Sequence, residues 1–324
     1  MSDRQSVFVA RRVFPDIVER LRARFDVRAH EGEEPLPQPA LIAALQGCDG
    51  AFVTGTEPVD STLLDACPRL KAVCTMAVGY NNIDVAACTA RGVRVTNAPG
   101  VLTDTTADFG FALMMATARR VSEAERFLRE GGWKHWGVDM FAGADVHGAT
   151  LGVLGMGRIG QAIAKRGHLG FDMPVVYHNR SRAPEAEQAL GATWLPLDEL
   201  LRRADHLVIV TPYSKETHHL VGAAQLALMK PTATLTNIAR GGVVDDAALA
   251  QALAEGRIAA AGLDVFEGEP VVEPALLALR NVVLTPHIAS ASLPTRRAMA
   301  NLAVDNLIAL LSGGAALTPL NAAA

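Results

Sequence analysis

The stretch "LGVLGMGRIGQAIAKR", Leu151–Arg166, decides how this chain folds. An apolar run leads into Gly155, Gly157 and Gly160, spaced G-x-G-x-x-G, and a helical pattern follows. Glycines in this arrangement permit a tight turn, let a pyrophosphate approach the backbone, and allow a helix to pack closely on a strand, while the helix N-terminus attracts phosphate. The motif alone is weak, so its surroundings matter. Downstream, "PVVYH" (174–178), "HLVIVT" (206–211), "TATLTNI" (232–238), "AAAGLDV" (259–265) and "NVVLTPH" (281–287) alternate with helical patterns. With "TLGVLG" (150–155) they predict six parallel strands with crossover helices, as a dinucleotide-binding sheet requires.

Upstream, a second set runs through "SVFVA" (6–10), "DVRA" (26–29), "GAFVT" (50–54), "KAVCTM" (71–76) and "VRVTN" (93–97), with helices such as 15–24 and 60–66 between them. A smaller open α/β domain is expected there. Between the two sets, "LTDTTADFGFALMMATARR" predicts a helix with Thr103 or Asp104 as N-cap, apolar on every side over 109–116 and therefore buried. The segment "GGWKHWGVDMFAGADVHG" (131–148) carries two of the three tryptophans in a Gly-rich setting. It suits an arm that packs on a partner, and packing within the monomer is the alternative. A last helix, 294–311, has no strand to follow and is expected to return to the first domain. The expected fold class is α/β, two Rossmann-like doubly wound parallel-sheet domains, with the dinucleotide-binding domain (99–287) inserted in a discontinuous, flavodoxin-like substrate domain (1–98 and 288–324).

Composition fits this reading. The chain has 324 residues, half of them apolar and 20% charged, which predicts ample core and more than one domain. A net charge of −4 offers no electrostatic reason to expect nucleic acid or membrane as a partner. Cys48, Cys67, Cys74 and Cys88 lack CxxC spacing and read as reduced core residues, which favours a cytoplasmic location. The N-terminal apolar run is too short for a signal peptide, and no stretch approaches the roughly 18 apolar residues of a membrane span.

After the second strand of the larger domain, an NAD-type site places an acid that accepts hydrogen bonds from the ribose 2′-hydroxyl. This chain has "NRSR", Asn179–Arg182, and Asp172 lies before the strand, at the wrong end. A carboxylate there would repel a 2′-phosphate, whereas guanidinium groups bind phosphate by charge-assisted hydrogen bonds. The pocket is therefore expected to prefer NADP over NAD, with Asn179, Arg180 and Ser181 at the phosphate and Arg182 adding charge at the rim.

Ligands bind outside the carboxyl ends of strands in open α/β sheets. Arg240, Asp264 and His287 follow three of these strands, and Glu269 lies shortly after Asp264. Hydride transfer to a 2-keto acid needs such groups: a guanidinium to hold the carboxylate and polarise the ketone, and a proton donor that works near neutral pH. His287 fits the donor, with Glu269 stabilising its imidazolium.

The combination "GYNNID", "LGMGRIG", "NIARGGVVDDAALAQAL", "IAAAGLDVFEGEP" and "LTPHIASA" resembles the D-isomer-specific 2-hydroxyacid dehydrogenase family over nearly the whole chain. "AVGYNNID", "LTDTTAD", "GGWKHW" and "HNRSR" point to its glyoxylate/hydroxypyruvate and 2-ketogluconate reductase branch. The resemblance implies that Arg240, Glu269 and His287 are the catalytic set and that no metal takes part. It implies a cofactor surface over Thr103, Gly155, Met156, Gly157, Arg158, Ile159, Gly160, Thr211, Pro212, Thr217, Ile238, Ala239, Asp264 and His287, with Asp264 holding the nicotinamide. Val78 and Gly79 are expected to present amides to the substrate carboxylate, and Ser290 and Trp136 to be further substrate contacts. Asn81 stands where relatives often have Asp. A homodimer is expected, and the implied activity is NADPH-dependent reduction of small 2-keto acids. The alternatives are a reductase of 2-ketogluconate or another longer 2-keto acid, and an NAD(P)-sensing interaction protein on the same scaffold.

Overall fold

Strands form where β-branched and small apolar residues run uninterrupted, and in the computed structural model, which describes residues 4–322, most of them are buried on both faces. The chain divides into two compact units, Met1–Leu102 with Ala291–Ala324, and Thr103–Ser290.

The first unit holds β1 (Ser6–Val9), β2 (Asp26–Ala29), β3 (Gly50–Val53), β4 (Ala72–Thr75) and β5 (Arg94–Thr96). All pairs are parallel and the order is β2-β1-β3-β4-β5, the flavodoxin-like order. Every residue of β3 and β4 is buried, as expected of central strands covered by helices on both sides, whereas the edge strand β2 alternates exposed and half-buried residues. The helix Leu293–Leu311 starts at Ser292, whose side chain caps it, and packs on β3 and β4. Leu307 and Leu311 meet the Cα side of Gly50, so the last helix completes this unit's core. Cys48, Cys67, Cys74 and Cys88 are free and buried; burial pushes the Cys74 thiol up to about 12, which keeps it protonated and unreactive.

The second unit holds β6 (Leu151–Leu154), β7 (Val175–His178), β8 (Thr193–Trp194), β9 (His206–Ile209), β10 (Thr234–Asn237), β11 (Ala260–Leu263) and β12 (Val282–Leu284). Its order, β12-β11-β10-β9-β6-β7-β8, is the Rossmann order with one further edge strand, so the sheet has seven strands where six were expected. The further edge strand is β12, and the strand not expected is β8, which has two residues and is too short to show a period of its own. The helix Thr103–Ala118 runs across β10 and β11, and Gly110 gives room for Ile238 where a Cβ would come within 2.6 Å of its Cδ1. Thr103 and Asp104 both lie inside its first turn. The burial expected of 109–116 holds for half of that stretch, Gly110, Phe111, Leu113 and Met114, whereas Phe109, Met115 and Ala116 are half-buried and Ala112 is exposed.

Candidate active site

Register gathers the second unit's functional residues. Leu154 pairs with His178 and with Ile209, Ile209 with Asn237, Asn237 with Leu263, and Leu263 with Leu284. These are the last residues of six neighbouring parallel strands, so the segments after them emerge along one rim. They carry the glycine turn, Asn179–Arg182, Thr211–Thr217, Ile238–Arg240, Asp264–Glu269 and Thr285–His287.

The glycine turn has the shape a dinucleotide needs. Gly155 has φ 106°, and a Cβ there would lie 2.7 Å from the Thr211 amide nitrogen. A Cβ on Gly160 would lie 2.1 Å from the Gly155 carbonyl oxygen, which ties the following helix to the strand. Gly157 differs, because a Cβ there would meet nothing within 4 Å. Its missing side chain therefore leaves open space at the start of the helix Arg158–Phe171, where a phosphate group fits.

Asn179 accepts a hydrogen bond from the Met156 amide at 3.2 Å, joining the end of β7 to the glycine turn. Arg180 and Ser181 are exposed. The Glu216 carboxyl is held below its usual range, first by a hydrogen bond from Ser214 and in smaller part by the Arg180 charge. Arg182 behaves differently. Its guanidinium forks onto Glu187, with Nε 2.9 Å from Oε1, and the buried Tyr177 hydroxyl donates to the same carboxylate at 2.6 Å. The two arginines of "NRSR" thus divide, with Arg182 engaged inside the chain. Sequence alone gave no sign of this lock, because Glu187 reads as an ordinary first-turn acid of its helix.

On the facing strands, Arg240 follows a turn fixed by the buried Asn237, whose Oδ1 accepts from the Ala239 amide at 3.0 Å while its Nδ2 donates to the Arg240 carbonyl at 3.3 Å. Burial pulls the Arg240 guanidinium below its ordinary value, with the Glu269 charge opposing. It stays protonated. Glu269 Oε1 lies 2.8 Å from His287 Nδ1. The structure therefore brings Arg240, Glu269 and His287 together around one carboxylate.

His287 sits at φ 53°, a left-handed conformation uncommon outside glycine, so surrounding contacts must hold it. Asp264 supplies them. Its carbonyl accepts from the His287 amide at 2.9 Å, and its fully buried carboxylate accepts from Thr285 Oγ1 at 2.7 Å and from the Ile288 and Ala289 amides at 2.8 Å each. Asp264, expected at the nicotinamide, thus has most of its acceptor capacity engaged by the His287 turn.

The remaining expected residues fall as follows. Thr103 opens its helix and is half-buried, as is Ser290 at the end of its unit. Thr217 accepts from the Ser214 amide and donates to the Pro212 carbonyl, shaping the segment after β9. In the first unit, Val78 and Gly79 follow β4, and Asn97 donates to the Val78 carbonyl at 2.7 Å. Trp133 and Trp136 are 56% and 75% exposed, which excludes their packing in the core of the chain.

Comparison with known proteins gives a consistent result. Residues 111–289 match the model of the D-isomer specific 2-hydroxyacid dehydrogenase NAD binding domain. The chain is 48% identical to a glyoxylate reductase of Thermococcus onnurineus, over 97% of this chain and 95% of that one. It is 47% identical to a glyoxylate reductase of Pyrococcus horikoshii, over 95% and 93%. Among solved structures it resembles the NADPH-dependent glyoxylate/hydroxypyruvate reductase of Sinorhizobium meliloti in complex with NADP and malonate, with a TM-score of 0.88, 39% identity, and 98% and 97% of the two chains covered.

Proposed function

The chain belongs to the D-isomer specific 2-hydroxyacid dehydrogenase family, and from that premise we propose that it reduces glyoxylate and hydroxypyruvate to glycolate and D-glycerate, with NADPH preferred over NADH. The observation that carries this reading is the rim itself: a glycine turn open at Gly157 and the Arg240, Glu269 and His287 set, on register-aligned strand ends of one sheet.

The reduced dinucleotide supplies the hydride when bound. The chain's own residues do the rest. Gly155–Gly160 and the helix behind them hold the pyrophosphate, and Arg180 and Ser181 take the 2′-phosphate. Met156, Arg158, Ile159, Asn179, Thr211, Pro212, Thr217, Ile238 and Ala239 would line the same surface, and Thr103 would contribute on the nicotinamide side. Arg240 would hold the substrate carboxylate and polarise the ketone, and Ser290 would be a further substrate contact. His287 Nδ1–H would donate a hydrogen bond to Glu269, and the protonated ring would deliver its Nε2 proton to the ketone oxygen as that oxygen gains negative charge, leaving a neutral imidazole with Nδ1–H still on Glu269. Asp264 keeps that imidazole in place by fastening the turn around it. The chemistry needs no metal. Loss of absorbance at 340 nm, measured with a panel of 2-keto acids and both cofactors, tests the proposal; no oxidation of either cofactor with any keto acid would favour the sensor reading.

Arg240→Lys keeps the positive charge and loses the planar fork that a carboxylate meets bidentately. The expected result is a KM for keto acid raised by about tenfold together with a kcat lowered by about tenfold, roughly 1.4 kcal/mol in each. A change confined to cofactor affinity would relocate this residue.

Trp136 is proposed to lie on an arm that crosses to a second copy in a homodimer, where it limits the size of side chain that the neighbour's site accepts. Its exposure in a Gly-flanked segment supports this. Trp136→Ala is expected to raise kcat/KM for longer 2-keto acids, 2-ketogluconate and phenylpyruvate included, relative to glyoxylate. An unchanged ranking would remove Trp136 from the site.

A further inference from the structure

The segments that carry Arg240 and Glu269 also bring two consecutive histidines, His218 and His219, beside Glu267, a residue given no role in the proposed reduction. One potential ligand atom from each lies within 4.8 Å of the other two. His219 Nε2 is 2.8 Å from Glu267 Oε2, His218 Nδ1 is 4.0 Å from Glu267 Oε1, and Asp245 Oδ2 stands 3.7 Å from His219 Nδ1. From this cluster we infer a binding site for a divalent transition-metal ion of the zinc class, held by His218, His219 and Glu267 with Asp245 alongside.

The backbone supports that assignment. Consecutive residues of an extended chain point to opposite sides. Here His219 is held at φ 49°, and this left-handed turn stacks the two imidazoles with their centroids 3.9 Å apart. The strain has a local cause: the His219 amide donates to the Gly242 carbonyl at 2.7 Å, and the Val221 amide donates to the Val243 carbonyl at 3.1 Å. Glu267 is held from the other side, its amide donating to Asp246 Oδ2 at 2.9 Å. Three chain segments that are distant in sequence are therefore fixed at their backbones while the ligand side chains remain accessible.

Chemistry narrows the ion. Two imidazoles and a carboxylate suit zinc and its neighbours, with bonds near 2.0–2.2 Å, and would leave a fourth position to water. Asp246, 5% exposed and next to Asp245, anchors the Glu267 amide through Oδ2 and keeps its Oδ1 buried without a hydrogen-bond partner. The histidine pair and Glu267 are far apart in the chain and form no spacing motif, so the cluster leaves no mark in the sequence.

The test uses the full chain, free of any affinity tag and stripped with chelator, titrated with Zn²⁺ alone by calorimetry, without cofactor or keto acid. Its outcome is therefore independent of the reductase reading. One ion is expected to bind per chain and to raise the melting temperature, since it ties three segments of the folded state together. His219→Ala, His218→Ala and Glu267→Gln are each expected to weaken binding at least tenfold and to abolish the thermal shift, whereas His287→Ala retains both. Circular dichroism of each variant without metal establishes that it is folded before titration, and any one folded variant with unchanged affinity excludes its residue as a ligand. Absence of a one-to-one isotherm in the wild type, affinity unchanged in both His219→Ala and Glu267→Gln, or loss of binding in His287→Ala would each overturn the assignment.

Discussion

Replacing His287 with alanine is expected to lower turnover of glyoxylate by about 10²–10⁴-fold, the usual range for losing a positioned acid, while NADPH still binds with affinity near that of the wild type. The separation follows from where the groups lie. The glycine turn is built by Gly155, Gly160 and the Asn179–Met156 bond, none of which involves the imidazole. His287 serves the opposite task, with Nδ1 committed to Glu269 at 2.8 Å and its backbone held by Asp264. Single-turnover kinetics with saturating NADPH, alongside fluorescence titration of the cofactor, checks both halves. Turnover within a few-fold of wild type at neutral pH would show that another group delivers the proton. An equal loss of cofactor binding would instead mean that the φ 53° turn had collapsed and that the variant reports on structure.

The two sheets were legible because their strands are short, apolar and bounded by turn residues, and parallel strands buried on both faces leave that imprint. Strand ends were legible for the same reason, so Arg240, Asp264 and His287 could be placed on one rim before any coordinates. Groups whose meaning depends on long-range pairing were not. Glu187 looks like an ordinary helix-opening acid until the fold sets it against Tyr177 and Arg182. Asp264 looked available for a ligand, yet its carboxylate is spent on Thr285, Ile288 and Ala289, residues of the following strand and turn. Asn237 gave no signal either, since its effect on the Arg240 turn runs through backbone groups. β8 was invisible because two residues cannot establish a period.

Arg180→Ala is expected to weaken NADPH by about 10–100-fold and to leave NADH nearly unchanged. The reasoning starts from the partition of charges after β7. Arg182 is paired with Glu187, so Arg180, exposed at this position, is the arginine proposed to meet the 2′-phosphate. One charge-assisted hydrogen bond contributes roughly 1.5–3 kcal/mol, and 1.4 kcal/mol is tenfold in an equilibrium constant, so the loss of a single contact to the 2′-phosphate accounts for the range. NADH has a hydroxyl there and loses little. Asn179→Asp is the complementary exchange: it keeps an acceptor for the Met156 amide, which the turn needs at 3.2 Å, while adding a negative charge where the phosphate would lie. Its expected effect is a further fall in NADPH affinity with an improved kcat/KM for NADH, because the carboxylate can accept from the ribose hydroxyls. Measuring kcat/KM for both cofactors in the wild type and the two variants decides the matter. A wild type that uses both cofactors equally, or an Arg180→Ala variant that loses both to the same extent, would show that "NRSR" is a solvated turn and that the cofactor preference lies elsewhere.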